Sequence, residues 1–198
     1  YAKSKLEGEE RILKNFPLAT IIRPSIVYSV DDNFTTNFMT LLNRLPIFPL
    51  YYEGKTKFAP IHCSDLTDVI FNVISNNVNS KIIECVGPEI ISFKEILEKL
   101  LNLIGKKRLL IPMPLPLAQF SARFFEIMPK PILTRDQLKL LKYDNVLSGK
   151  YKSNSDIGVP SLRHFDEEVK KYCYMWREGG QFSTEKYNSE ENIDIKTN

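Results

Sequence analysis

The chain holds three cysteines, two histidines and one tryptophan in 198 residues, and each scarcity excludes something. Cys63, Cys85 and Cys173 are odd in number and include no CxxC pair. They read as ordinary thiols of a reducing compartment, with no disulfide framework. His62 and His164 lie far apart in sequence, so no metal site is expected. No apolar run approaches the roughly 18 residues that a spanning helix needs, and mean hydropathy is -0.22. Charge of one sign is scarce too: 27 Lys and Arg against 24 Asp and Glu leave a net charge of only +3. A nucleic-acid binder concentrates far more cation on one face. An apolar share of 43% excludes a disordered chain.

What is present alternates between strand and helix signals. Residues 1–16 are helical in character from the first position, with Leu6, Ile12, Leu13 and Phe16 as an apolar stripe and no capping residue ahead of them. This reads as a piece of a larger chain, in which any targeting signal would lie upstream. LATIIRP (18–24) is a short β-branched run of the buried, parallel-strand type. Asp31, Asp32 and Asn33 lead into a helix over about 35–44, and Pro46, Pro49 and Gly54 predict irregular chain after it. FAPIHC (58–63) reads as a strand, Ser64 and Asp65 as the N-cap of a helix, and KIIECVG (81–87) as a third strand.

Ser92 and Glu95 form a capping box for a helix that Gly105 stops. RLLIPMPLP (108–116) is a strand-to-loop passage and 117–128 a compact apolar helix. Thr134 and Gln137 make a second capping box, 143–160 reads as a surface loop, 165–176 as a last helix, and 183–198 as a disordered polar tail. Strand–helix alternation predicts the α/β class.

One pair carries chemistry. Tyr1 and Lys5 are four residues apart and share a helix face. An ammonium beside a phenol favours the phenolate, whose ordinary pKa is near 10, and makes the tyrosine a usable acid or base. The lysine is also able to hold ribose hydroxyls. A chance YxxxK pair is equally available to a lysine-rich chain with nine tyrosines. Context adds weight: RPSIVYS (23–29) follows at the carboxyl end of an expected buried strand, where open α/β sheets bind ligands. FAPIHCSDLTDVI (58–70) comes next in order.

YAKSKLEGEE, RPSIVYS and FAPIHCSDL, in this order, resemble the C-terminal half of an extended or atypical short-chain dehydrogenase/reductase of the NAD-dependent epimerase/dehydratase superfamily. ILTRDQLKLLKYDNVLSG (132–149), CVGPEIISFKEIL and WREGGQF (176–182) are most similar to the alpha subcomplex subunit nine family of respiratory complex I and its bacterial relatives. The resemblance implies the C-terminal half of a Rossmann-like fold: residues 1–91 as part of an NAD(P)-binding domain, 92–182 as a small, mostly helical lobe, and the N-terminal half missing. It implies NADP(H) or NAD(H) as cofactor. Tyr1 and Lys5 match the active-site pair, and Pro24, Ser25 and Ile26 match the strip against the nicotinamide. Asp65 matches an acidic position that is expected to cap a helix.

In that family the complex I subunit is structural, so a non-catalytic accessory or assembly role is implied, with an active oxidoreductase or epimerase as the alternative. The location implied is cytoplasmic or peripheral on a bacterial inner membrane, or the mitochondrial matrix side. Ser29-Val30 replaces the family's Gly-Pro, and Ile26 replaces the asparagine common in sugar-nucleotide epimerases. Residues 109–130 combine apolar side chains with flanking Lys106, Lys107, Arg108 and Lys130. That pattern suits a membrane surface, complex I subunits or a lipid-like ligand, and ordinary packing produces the same composition.

Overall fold

A computed structural model describes residues 2–78, 82–114 and 140–182. Helix α1 (Ala2–Asn15) ends where the Asn15 side chain bonds the Arg11 carbonyl and Pro17 follows. The chain then turns directly into β1 (Ile21–Pro24), the edge of a three-stranded parallel sheet. Its centre is β6 (Ile82–Cys85), paired with β1 on one side and with β9 (Lys152–Ser153) on the other. Ile83 and Cys85 of β6 are fully buried, as a central strand requires. The α/β architecture with parallel pairing agrees with the sequence reading.

Between β1 and β6 the chain forms β2 (Val27–Tyr28), α2 (Thr35–Arg44), β3 (Ile47–Tyr51), β4 (Lys57–Phe58), β5 (Ile61–His62) and α3 (Cys63–Ser75). After β6 come β7 (Ile91–Ser92), α4 (Phe93–Leu103), β8 (Leu109–Met113) and, beyond β9, α5 (Phe165–Lys170). Helix α4 carries Phe93, Ile96, Leu97, Leu100 and Leu101 on one face, all buried, which is the spacing of a core-facing helix. The Ser92–Glu95 capping box forms with both of its bonds, and Gly105 follows the helix at φ +66. This face packs on Met39 and Leu42 of α2, Phe48 and Leu50 of β3, and Phe165 and Val169 of α5. A second core joins α3 to the sheet through Val69, Ile61, Ile83 and Cys85.

Several expectations change. Residues 47–51, expected to be irregular because of Pro46 and Pro49, form β3 and pair in parallel with β8. A two-stranded ribbon has only edges, so it tolerates the missing N–H of Pro49. The run 58–63 is two strands: β4 pairs antiparallel with β7, and β5 pairs parallel with β2. The bend at Ala59-Pro60 lies against Gly87, where a Cβ would sit 1.7 Å from the Pro60 carbonyl oxygen. Part of the expected surface loop 143–160 is β9 and a helical turn at Ser155–Ile157.

The expected last helix breaks after Lys170. Tyr172 turns inward to bond Thr35, and Trp176 donates to the Thr40 hydroxyl at 2.9 Å. The apolar helix 117–128, the Thr134–Gln137 box and the tail 183–198 lie outside the described residues. Among the described residues no helix is long and apolar enough to cross a membrane, and no cluster of three His, Cys, Asp or Glu is arranged for a metal.

Candidate functional site

The site expected from the sequence is the carboxyl end of β1. Arg23, one residue before that end, reaches α1 and binds Glu9 through Nε at 3.0 and 3.2 Å. The pair is largely buried, at 32% and 22% side-chain exposure, so it fixes the helix rather than decorating it. Lys5 lies four residues before Glu9, one turn along the same stripe of α1. Lys5 is exposed on this stripe. Tyr1, the next position of the stripe, lies outside the described residues.

Pro24 is exposed at the strand end and Ile26 is half-buried against the main core. Ser25 is buried; its N–H donates to the Cys85 carbonyl at 2.8 Å and its hydroxyl to the Asn145 carbonyl at 2.9 Å. Ile26 accepts from the Ile61 N–H at 2.9 Å. The strip 24–26 thus couples β1 to β6 and β5 by main chain, leaving Pro24 and Lys5 as the exposed members.

A polar junction lies beside it. Asp65 is 4% exposed and was expected to cap α3, but the cap is His62, whose Nδ1 accepts from Ser64 N–H at 3.3 Å. Asp65 sits inside the first turn and takes two bonds from Arg163, one from the guanidinium and one from its main-chain N–H at 3.2 Å. That bonding raises the Arg163 pKa. The Tyr28 hydroxyl donates to the Arg163 carbonyl at 3.2 Å, and burial pushes its phenol upward. His62, edge-on to Tyr28 at 5.2 Å, faces Glu168 at 3.9 Å; burial lowers its pKa despite that carboxylate. Burial likewise raises the Cys85 thiol to about 11, which leaves it inert near neutrality.

The loops beyond β6 and β9 are joined by one side chain that the sequence reading missed. Asn154, 1% exposed, accepts from Val86 N–H at 3.0 Å and donates to the Val159 carbonyl and Ser161 hydroxyl, both at 3.1 Å. An asparagine in a polar stretch gives no sequence signal for such burial. A separate open groove of about 300 Å³ between α4 and α5 is lined in part by Lys99, Asp166, Lys170 and Arg177. Lys99 is paired there with Asp166 and Glu89, and Arg177 donates to the Leu103 carbonyl. None of its lining residues comes from the carboxyl ends of β1 or β6.

No protein-family model matches the chain. It is 26% identical over 191 residues to the Arabidopsis thaliana mitochondrial protein named NADH dehydrogenase [ubiquinone] 1 alpha subcomplex subunit 9, covering 90% of this chain and 47% of that one. The Mus musculus protein of the same name is 28% identical over 183 residues, covering 88% and 48%. The chain spans about half the length of the curated relatives it matches. Among solved structures, a NAD-dependent NDP-hexosamine 5,6-dehydratase of tunicamycin biosynthesis superposes with a TM-score of 0.56 at 16% identity, covering 89% of this chain and 52% of that one. RMD from Pseudomonas aeruginosa, complexed with NADPH, gives 0.55 at 9% identity, covering 89% and 54%. By sequence, then, this chain is similar to the subunit 9 proteins of mitochondrial NADH dehydrogenase, and by fold to Rossmann-like α/β enzymes of the epimerase/dehydratase type.

Proposed function

We propose that this chain is the C-terminal part of an NAD(P)(H)-binding, short-chain-dehydrogenase-like protein that serves as a non-catalytic accessory or assembly subunit of respiratory complex I. The observation that carries it is similarity along about nine-tenths of the chain to relatives of that name in a plant and a mammal. The residues present fit one end of a dinucleotide. Lys5 is exposed on the stripe set by Glu9 and Arg23, and Pro24 and Ile26 offer an apolar wall at the strand end. No GxxGxxG loop occurs in the sequence, so this chain does not supply the glycine-rich motif that cradles a pyrophosphate. When bound, the dinucleotide supplies a hydride at its nicotinamide ring. This chain's own task is to hold the ribose hydroxyls with Lys5 and to wall the ring with Pro24 and Ile26.

The location that suits this role is the matrix side of the mitochondrial inner membrane, or the inner-membrane periphery in a bacterium. A membrane or subunit contact is supported by the β3–β8 ribbon. Ile47, Leu109 and Ile111 are exposed there, next to Arg44 and Lys107. A second reading, an active NAD(P)-dependent oxidoreductase or epimerase, draws on the Tyr1–Lys5 spacing.

The test uses the full-length protein. The bound dinucleotide is identified after heat extraction, and turnover is measured in wild type and Tyr1→Phe. Retained dinucleotide, no turnover in either form and co-migration with complex I is the expected result. Turnover that Tyr1→Phe abolishes would establish the enzyme reading instead.

A further inference from the structure

The stretch before β9 is bonded in an unusual way for surface chain. Thr56 donates its hydroxyl to the Leu141 carbonyl. The Asp144 carboxylate accepts from Lys57 N–H at 2.8 Å. Asn145 is held on both sides of its main chain: its N–H donates to the Lys57 carbonyl at 2.8 Å, and its carbonyl accepts from Ala59 N–H at 3.1 Å and from the Ser25 hydroxyl at 2.9 Å. Ser148 N–H then reaches the Glu84 carboxylate on β6 at 2.8 Å, and Tyr151 lies 5.0 Å from the Arg23 guanidinium on β1. Lys152 then pairs with Ile83.

The attachments fall first on β4 and the residues flanking it, then on Ser25 just past β1, then on Glu84 of β6 and Arg23 of β1, while the side chains Tyr143 and Leu147 stay exposed. The run therefore crosses the carboxyl ends of β1 and β6, the place where open α/β sheets expose a ligand to its reactant.

We propose that residues 141–153 form a strap that closes the substrate side of the dinucleotide end, so that the site binds cofactor but denies a second reactant access to it. The proposal rests on the dinucleotide reading above and deepens it. The Ser25 hydroxyl belongs to the strap, because its one proton is donated to Asn145. Lys5, exposed on α1, is the residue assigned to the ribose in that reading. Arg23 holds both sides of the arrangement at once, with Glu9 on the helix and Tyr151 on the strap. Binding without turnover then follows from shape, whatever the state of the tyrosine.

The test is made on the full-length protein loaded with NADPH. Shielding is read as acrylamide quenching of nicotinamide fluorescence, and access as oxidation by a small ortho-quinone. Wild type is expected to be shielded and inert. Asp144→Ala and Ser25→Ala each remove one strap bond, which shifts the closed–open balance by about fivefold. Both variants are expected to raise quenching and quinone oxidation together. Hydrogen exchange must quicken over 143–149 in both variants while β6 stays protected, which separates a lifted strap from an unfolded protein.

Failure of wild type to bind either dinucleotide overturns both this proposal and the reading beneath it. Wild-type NADPH that is bound but quenched like free NADPH overturns the strap alone. So does weaker NADPH binding in Ser25→Ala with unchanged shielding in Asp144→Ala, since it assigns the hydroxyl to the cofactor.

Discussion

Replacing Asn154 by alanine deletes a side chain that joins the ends of β6 and β9. Three bonds disappear: the one accepted from Val86 N–H at 3.0 Å and the two donated at 3.1 Å to the Val159 carbonyl and the Ser161 hydroxyl. Each is neutral and contributes about 1 kcal/mol net. The larger effect is on the groups left behind. At 1% exposure for Asn154, water reaches them poorly, and an unpaired N–H costs about 1–3 kcal/mol. Ser161 keeps its bond to the Val86 carbonyl at 2.7 Å, which limits the loss. The expected destabilisation is about 2–4 kcal/mol, measured as the shift in urea midpoint at unchanged m-value. Asn154→Asp retains the acceptor but buries a carboxylate beside two acceptors. It should cost at least as much at pH 7 and less at pH 4, where a protonated acid regains one donor. A loss under about 1 kcal/mol for the alanine variant would refute the idea that this residue joins the two loops.

Two further outcomes follow from the geometry. Gly87→Ala places a Cβ 1.7 Å from the Pro60 carbonyl oxygen, a main-chain atom with little freedom, so a loss of about 3 kcal/mol or failure to fold is expected in thermal melts. Wild-type stability would mean that the 59–60 bend yields easily. His62 caps α3 through unprotonated Nδ1 and its pKa is lowered by burial, so the unfolded chain binds its proton more readily than the folded one. Its contribution should be fully present above pH about 6.5, the ordinary imidazole value, and be lost as pH falls through the lowered one. His62→Asn keeps a capping acceptor without a titrating ring, and should flatten that part of the pH–stability curve. Equal slopes for the two proteins would disprove the linkage.

The α/β alternation and helix α4 were legible because they rest on apolar period and capping chemistry, both local signals. The strands β3 and β9 were not. Pro49 masked the first, and the second is two polar residues placed by pairing with Ile83 and Glu84, some 70 positions away. The site was legible in part. The Lys5 stripe follows from helical spacing, yet its direction is set by the Glu9–Arg23 pair across α1 and β1. Asp65 looked like a cap because caps and buried anions share a residue type. Only the position of Arg163, 98 residues later, distinguishes them. Asn145 acts through its main chain, for which side-chain identity gives no clue.

The central strand β6 also sets an order of events during synthesis. It finds β1 behind it at once, but its other neighbour, Lys152–Ser153, emerges from the ribosome only some 70 residues later. At the 5–20 residues per second typical of translation, one edge of the strand goes unpaired for roughly 4–14 seconds. That interval leaves a half-built sheet with an adhesive edge, open to pairing with another nascent chain. A two-residue strand late in the chain, negligible by area, is the piece that ends the exposure.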